Sequence, residues 1–161
     1  MFFLAACAAT PMVQEQRTAN ANASGYGDAR VVVDTPDDIR QMTSYAETAA
    51  ELLEAFIANV KASGKYATVG PNIGTGKTLE TRLTIKQFSY VHGAGRIMGG
   101  ILAGRAVLQV DMTVKDPQTD TVLALVTANH ASHLGQGVFS PTTSRQVSAI
   151  AKELSAKLSG M

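Results

Sequence analysis

The chain has 161 residues, of which 45% are hydrophobic, and this is enough to fill the core of one domain. Its formal net charge is +1, it lacks tryptophan and only 6% of its residues are aromatic, so nothing in its composition points to a nucleic-acid partner. A single cysteine excludes an internal disulfide framework. No stretch reaches the ~18 apolar residues that a membrane-spanning helix needs.

The first segment, residues 1–7, ends in a pattern that bears on attachment to a membrane. Leu4-Ala5-Ala6-Cys7 resembles the lipobox of bacterial lipoproteins. The resemblance implies that a signal peptide is removed before Cys7 and that the cysteine sulfur carries a diacylglycerol. It also implies sorting to the outer membrane, because Ala8 stands where an aspartate would signal retention in the inner membrane. We therefore expect an outer-membrane lipoprotein of the bacterial cell envelope that faces the periplasm, with the lipid on Cys7 as its membrane anchor.

The next segment, residues 8–29, is rich in alanine, glutamine, asparagine, serine and glycine. Because few large apolar side chains are present, this composition predicts a flexible tether that does not order itself. One folded domain is expected over residues 30–161.

The first half of that domain has the pattern of a strand, a helix and a second strand. Arg30–Asp34 is a β-branched run, and Tyr66–Val69 is a similar short run. Between them, Thr35 and Pro36 predict a helix start and Gly64 predicts its end. The predicted apolar stripe of this helix is Ile39, Met42, Ala46, Ala49, Leu52, Leu53, Phe56, Ile57 and Val60. A strand, a helix and a strand in this order predict a parallel pair.

The segment Gly74-Thr75-Gly76-Lys77-Thr78 partly matches a phosphate-binding P-loop. Pro71 occupies the position of the first glycine of that motif, and the residues after Thr78 alternate with a period of two. A strand is therefore expected to follow the loop, whereas a phosphate cradle needs a helix N-terminus. We expect a loop between two strands and no nucleotide site.

The strand that begins at Leu79 is expected to run to about Val91, with a bulge near Lys86 and Gln87 where its alternation slips. A glycine-rich apolar segment, His92–Gly104, comes next. One interpretation is a long flexible hairpin loop tucked onto the domain. The other is that its large apolar side chains form a candidate contact surface for self-assembly or for a membrane. These residues are Ile97, Met98, Ile101 and Leu102.

A hairpin and a final helix complete the domain. Ala106–Asp116 and Thr121–Ala131 alternate as two strands around a turn preset by Pro117. The side chains expected on one face of the first strand are Leu108, Val110, Met112 and Val114, and those of the second are Val122, Ala124, Val126 and Ala128. The apolar stripe of the final helix is Val147, Ile150, Ala151, Leu154 and Leu158.

The histidines do not form a recognisable catalytic or metal motif. His130 and His133 are three apart, and on a strand such residues face opposite sides. His92 and the nearby serines lie in no nucleophile elbow and no metal-ligand spacing. We therefore assign no catalytic, metal-binding or cofactor-binding residue and expect no cofactor and no small-molecule substrate.

The element order β-α-β-β-β-β-α predicts an α/β (α+β sandwich) fold, in which two helices cover one face of a mixed sheet. With a glycine-rich insertion before Gly104-Arg105, and Val114-Lys115-Asp116 before a short turn, the domain resembles a family of bacterial envelope lipoproteins of unknown function. It is similar, more distantly, to the periplasmic domains of the curli secretion-channel lipoprotein and of lipoprotein activators of peptidoglycan synthases.

These observations favour a non-enzymatic lipoprotein that acts as an accessory or structural subunit of an envelope assembly. Its expected partner is another protein or a second copy of the chain. The alternative is an envelope enzyme or a nucleotide-binding protein that uses the degenerate Gly74–Thr78 loop.

Overall fold

The structure, a computed structural model, describes residues 11–17, 25–42, 44–73, 77–89, 107–131 and 142–161. The strands are β1 (Met12–Arg17), β2 (Asp28–Asp34), β3 (Thr68–Gly70), β4 (Thr78–Ser89), β5 (Val107–Asp116) and β6 (Thr121–Ala131). The helices of the described ranges are α1 (Asp37–Arg40), α2 (Tyr45–Ala62) and α3 (Thr142–Ser159). The strands form a six-stranded sheet in the order β1-β6-β5-β4-β2-β3.

The sheet is mixed, as the element order predicts. β2 pairs in parallel with β3 on one side and with β4 on the other. β4, β5, β6 and β1 follow one another in antiparallel pairs. The α+β fold class and the parallel pair on either side of the helix are therefore confirmed.

Both long helices pack on the same face of the sheet and against each other. α2 contacts β2 and β3, and α3 contacts β5 and β6. The stripe expected for α3 is fully buried, and Leu52, Phe56 and Val60 are the fully buried residues of α2. The buried strand residues that meet them include Val31, Leu79, Leu83, Ile85, Leu108, Val110, Met112, Val114, Val126 and Ala128. One continuous apolar core therefore lies between the helix pair and the sheet.

The single helix expected from Pro36 to Gly64 is wrong, because the chain breaks it in two. α1 ends at Arg40 and α2 begins at Tyr45. Between them, Ser44 has a left-handed backbone with φ of 64°, which a right-handed helix cannot contain. Met42 lies in this break and is 45% exposed, so it does not share the buried stripe of α2.

The tether expected over residues 8–29 differs from the structure at two places. Met12–Arg17 is β1, which pairs along its length with β6, and Asp28 and Ala29 already belong to β2. β1 carries only one apolar side chain on its helix-facing side, Val13, so its composition does not signal a strand. Backbone hydrogen bonding to β6 gives this polar segment its structure.

Two irregularities shape the antiparallel part of the sheet. The register between β4 and β5 shifts between Ile85 and Gln87, which confirms the expected bulge. The register between β5 and β6 shifts between Val114 and Lys115. Val122 lies at this second shift and is 44% exposed, so its predicted place on the buried face of β6 is wrong.

Gly64 closes α2 as expected. Its φ is +67°, in the left-handed region, and a Cβ built on it would meet nothing within 4 Å. The only penalty for a side chain at this position is therefore backbone strain.

We expect Gly64→Ala to lower the free energy of unfolding by about 1 kcal/mol, because alanine disfavours the left-handed backbone. Urea denaturation would measure the change. Gly70→Ala is the matched control, because Gly70 also has space for a Cβ but no left-handed φ. Equal losses in both variants would contradict the explanation.

Candidate functional site: the open face of the sheet

The face of the sheet that points away from α2 and α3, which we call the open face, is covered by no described helix. Its side chains come from alternate positions of five strands, in register with one another. They include Met12, Gln14, Gln16, Arg30, Val32, Asp34, Glu80, Arg82, Thr84, Gln87, Gln109, Asp111, Thr113, Lys115, Val122, Leu125, Thr127 and Asn129.

The half of the open face formed by β1, β6 and most of β5 is almost uncharged. Amide and hydroxyl side chains dominate it, and Leu125 is 39% exposed among them. Asp111 is the acid of this half, and its Oδ1 accepts a hydrogen bond of 2.8 Å from Thr127 Oγ1. This half is a flat polar surface with single exposed apolar side chains.

The half formed by β2, β4 and the end of β5 holds a group of charges that we call the Glu80 cluster (Arg30, Glu80, Arg82 and Lys115). Glu80 is only 8% exposed although it lies on the open face. Its carboxylate is 3.3 Å from Arg82 Nη2, 3.7 Å from Lys115 Nζ and 3.9 Å from Arg30 Nη1. Three cations from three neighbouring strands therefore surround one largely buried carboxylate.

Two outer carboxylates complete the charge balance around the Glu80 cluster. Asp34 Oδ2 lies 3.1 Å from Arg82 Nη1, and Asp120 Oδ1 accepts a hydrogen bond of 2.9 Å from Lys115 Nζ. That hydrogen bond raises the pKa of Lys115 and lowers the pKa of Asp120. The cations of this half therefore face carboxylates of the same chain, which makes the surface mixed in charge and not strongly basic.

A separate ion pair holds the edge strand β1 on the helix layer. Lys157 Nζ of α3 lies 2.9 Å from Glu15 Oε2, and Arg17 also pairs with Glu15. The hydrogen bonds from Arg17 and Lys157 hold the pKa of Glu15 below its ordinary value. β1 is thus fixed both by β6 and by α3.

Most of the site residues predicted from the sequence lie outside the described residues. These are Cys7, His92, Ile97, Met98, Ile101, Leu102 and His133. His130 is described, lies on the helix-facing side of β6 and is 8% exposed. Its backbone carbonyl accepts a hydrogen bond of 3.4 Å from Gln146 Nε2, so it is part of the packed core.

The degenerate P-loop segment is described only at its end. Thr78 begins β4, which confirms that a strand and not a helix follows the loop. Lys77 Nζ lies 4.6 Å from the centre of the Tyr26 ring, a distance at which a cation and an aromatic face attract. Gly74–Gly76 lie outside the described residues.

Within the described part of the chain, no three histidine, cysteine, aspartate or glutamate side chains are grouped closely enough to hold a metal ion. No helix of that part is long and apolar enough to cross a bilayer.

No pattern in the sequence predicts the Glu80 cluster. Glu80 and Arg82 are visible as charged positions that alternate with apolar ones on a strand. Their partners Arg30 and Lys115 are far away in sequence, however, and meet them only through the sheet register.

No protein-family model and no curated protein matches the sequence. Solved structures do match. A variant of PelC from Paraburkholderia phytofirmans, a dodecamer, has a TM-score of 0.60 at 19% identity over 90% of this chain and 95% of that chain. A second crystal form of the PelC dodecamer has the same TM-score at 16% identity.

Protein XCC0632 from Xanthomonas campestris, of the family DUF330, has a TM-score of 0.54 at 13% identity over 93% of this chain and 90% of that chain. A minor lipoprotein from Acinetobacter baumannii matches with a TM-score of 0.39 at 10% identity. At the level of the fold, XCC0632 supports the expected resemblance to a bacterial family of unknown function. The similarity to the curli lipoprotein and to the peptidoglycan-synthase activators stays a prediction.

We expect Glu80→Gln to lower the free energy of unfolding by about 1–2 kcal/mol, because an amide leaves three neighbouring cations without their shared carboxylate. Asp34→Asn is the matched control and should cost less than about 0.5 kcal/mol, since its ion pairs are open to solvent. Urea denaturation of both variants would compare them, and a loss in Asp34→Asn as large as in Glu80→Gln would refute the central role of Glu80.

Proposed function

We propose that this chain is a non-enzymatic outer-membrane lipoprotein that faces the periplasm and serves as a subunit of an envelope assembly built from copies of itself. The lipobox-like sequence Leu4–Cys7 supports the membrane anchor. The observation that carries self-assembly is the fold shared over 90% of the chain with PelC, which forms a dodecamer.

The open face is the surface on which copies meet in this proposal. It is the broad side of the sheet that the described helices leave uncovered. Leu125, one of its exposed apolar residues, is surrounded by side chains that hydrogen-bond easily. Interfaces between subunits commonly combine such apolar anchors with a polar rim. The mixed charge of the Glu80 cluster suits a partner that is also mixed in charge, such as a second copy, better than a polyanion.

The glycine-rich segment offers a second contact surface, formed by Ile97, Met98, Ile101 and Leu102. It is proposed from the sequence alone, since it lies outside the described residues. Its large apolar side chains would favour contact with another copy or with lipid.

The enzymatic alternative has weaker support. Lys77 Nζ lies over the ring of Tyr26. Thr78 begins a strand, and a strand lacks the positive N-terminal dipole with which a helix binds phosphate. Binding of ATP or GTP at micromolar concentration in calorimetry would favour the alternative over our proposal.

For the anchor, we expect Cys7→Ser to release the protein from the membrane fraction, because the serine oxygen does not replace the thiol that accepts the lipid. Fractionation with mass spectrometry of the mature N-terminus would measure this, and Ser24→Ala serves as a control that keeps the thiol. A wild-type chain that carries an unmodified cysteine and stays in the soluble fraction would refute the anchor.

For the assembly, we expect Leu125→Asp to weaken association at least about tenfold, because it puts a charge in the middle of the proposed contact. Light scattering of the Cys7→Ser chain would give the oligomer mass over a dilution series. Ser148→Asp is the control, since Ser148 is exposed on α3, in the helix layer.

A double variant, Ile101→Asp with Leu102→Asp, tests the second surface in the same assay. Dissociation in this variant but not in Leu125→Asp would move the interface from the open face to the glycine-rich segment. A wild-type chain that is monomeric at all concentrations would refute self-assembly.

A further inference from the structure

The strand pairing brings the ends of four strands to one end of the sheet. We call this the anchor end (Met12, Ser89, Val107 and Ala131). Met12 pairs with Asn129 near the end of β6, Ala131 pairs with Val107, and Val107 pairs with Ser89. The opposite end, which we call the turn end, carries the β5–β6 turn Pro117–Asp120.

Only four residues separate Cys7 from Met12, the first residue of β1. Five residues of fully extended chain reach at most about 18 Å. If the lipid sits on Cys7, the anchor end must stay within that distance of the bilayer surface. The tether expected from the sequence, residues 8–29, would have allowed the domain to move much further away.

Charge is distributed unequally along the paired strands. The three rows of paired residues nearest the anchor end contain no aspartate, glutamate, lysine or arginine. Near the turn end, Glu80 pairs with Lys115, Asp116 follows Lys115 in the chain, and Asp120 in the turn also pairs with Lys115. The strand ends at the anchor end are therefore uncharged, although Lys86 lies in the adjoining bulge and Glu51 and Arg145 lie in the helix layer beside them. Uncharged strand ends are less costly to bring against lipid headgroups than strand ends with several desolvated charges.

Met12 is the most exposed large apolar residue described, at 73%. It lies at the anchor end, on the strand that continues toward Cys7. β1 itself is held to α3 through Glu15 and Lys157, at 2.9 Å, so the position of Met12 is fixed relative to the domain.

We propose that the acylated protein stands on the membrane with the anchor end of its sheet against the lipid headgroups and the turn end pointing away. This inference rests on the proposed function, because it requires the lipid on Cys7. The partner is the bilayer surface itself, and the long axes of the strands extend from that surface toward the turn end.

The test uses the full acylated chain in phosphatidylcholine vesicles that contain a lipid with an acceptor dye on its headgroup. A donor dye is placed on Gln87→Cys near the anchor end or on Gln118→Cys in the turn, two exposed glutamines exchanged in the same way. Gln87 pairs with Gln109, and β5 ends seven positions further on at Asp116, a distance of about 23 Å. We expect energy transfer from position 87 to be at least about twofold greater than from position 118.

A control variant carries a Gly-Ser insertion of about 15 residues between Ala9 and Thr10, which lengthens the link to the lipid. We expect the difference between the two positions to shrink in this variant, and a difference that is unchanged would overturn the role of the short link. Equal or reversed transfer in the chain with its native link would overturn the orientation while the anchor stands. A wild-type chain that is not acylated on Cys7 and does not bind the vesicles would overturn the proposed function, and the orientation with it.

Discussion

The contact between the helix pair and one face of the sheet is the interaction on which the rest of the molecule depends. Phe56 and Leu52 of α2 and Ile150 and Leu154 of α3 are completely buried against strands that supply matching apolar residues. Burying one such side chain stabilises a fold by about 1.5–3 kcal/mol, so the helix layer supplies much of the stability. Because both helices use the same face, the other face is left to polar and charged side chains.

The parts of the fold that follow from this burial could be read from the sequence. Leu108 to Val114 alternate along β5 because every second side chain enters the core, and the buried stripe of α3 has the helical period for the same reason. The bulge near Gln87 was also visible, since a slip in the alternation is what an extra residue in a strand produces. These features are local, and apolar burial determines them.

The features that the sequence did not predict depend on contacts with distant segments or on a single backbone angle. β1 is polar, and only its pairing with β6 makes it a strand. The break before α2 depends on Ser44, whose left-handed conformation no local pattern signals. The neighbours of Glu80 come from three strands, so the cluster exists only once the register is known. The same holds for the open face, whose residues share a surface without sharing a sequence pattern.

If the lipid sits on Cys7, the short link between Cys7 and β1 also limits the symmetry of any assembly on a membrane. If every copy must reach the same bilayer through about 18 Å of chain, all copies stand in the same direction. A rotation axis perpendicular to the bilayer preserves that direction, whereas a two-fold axis in the plane of the bilayer would turn half of the lipid chains away from it. Rings with cyclic symmetry are therefore compatible with a single membrane, and dihedral assemblies would need two facing membranes.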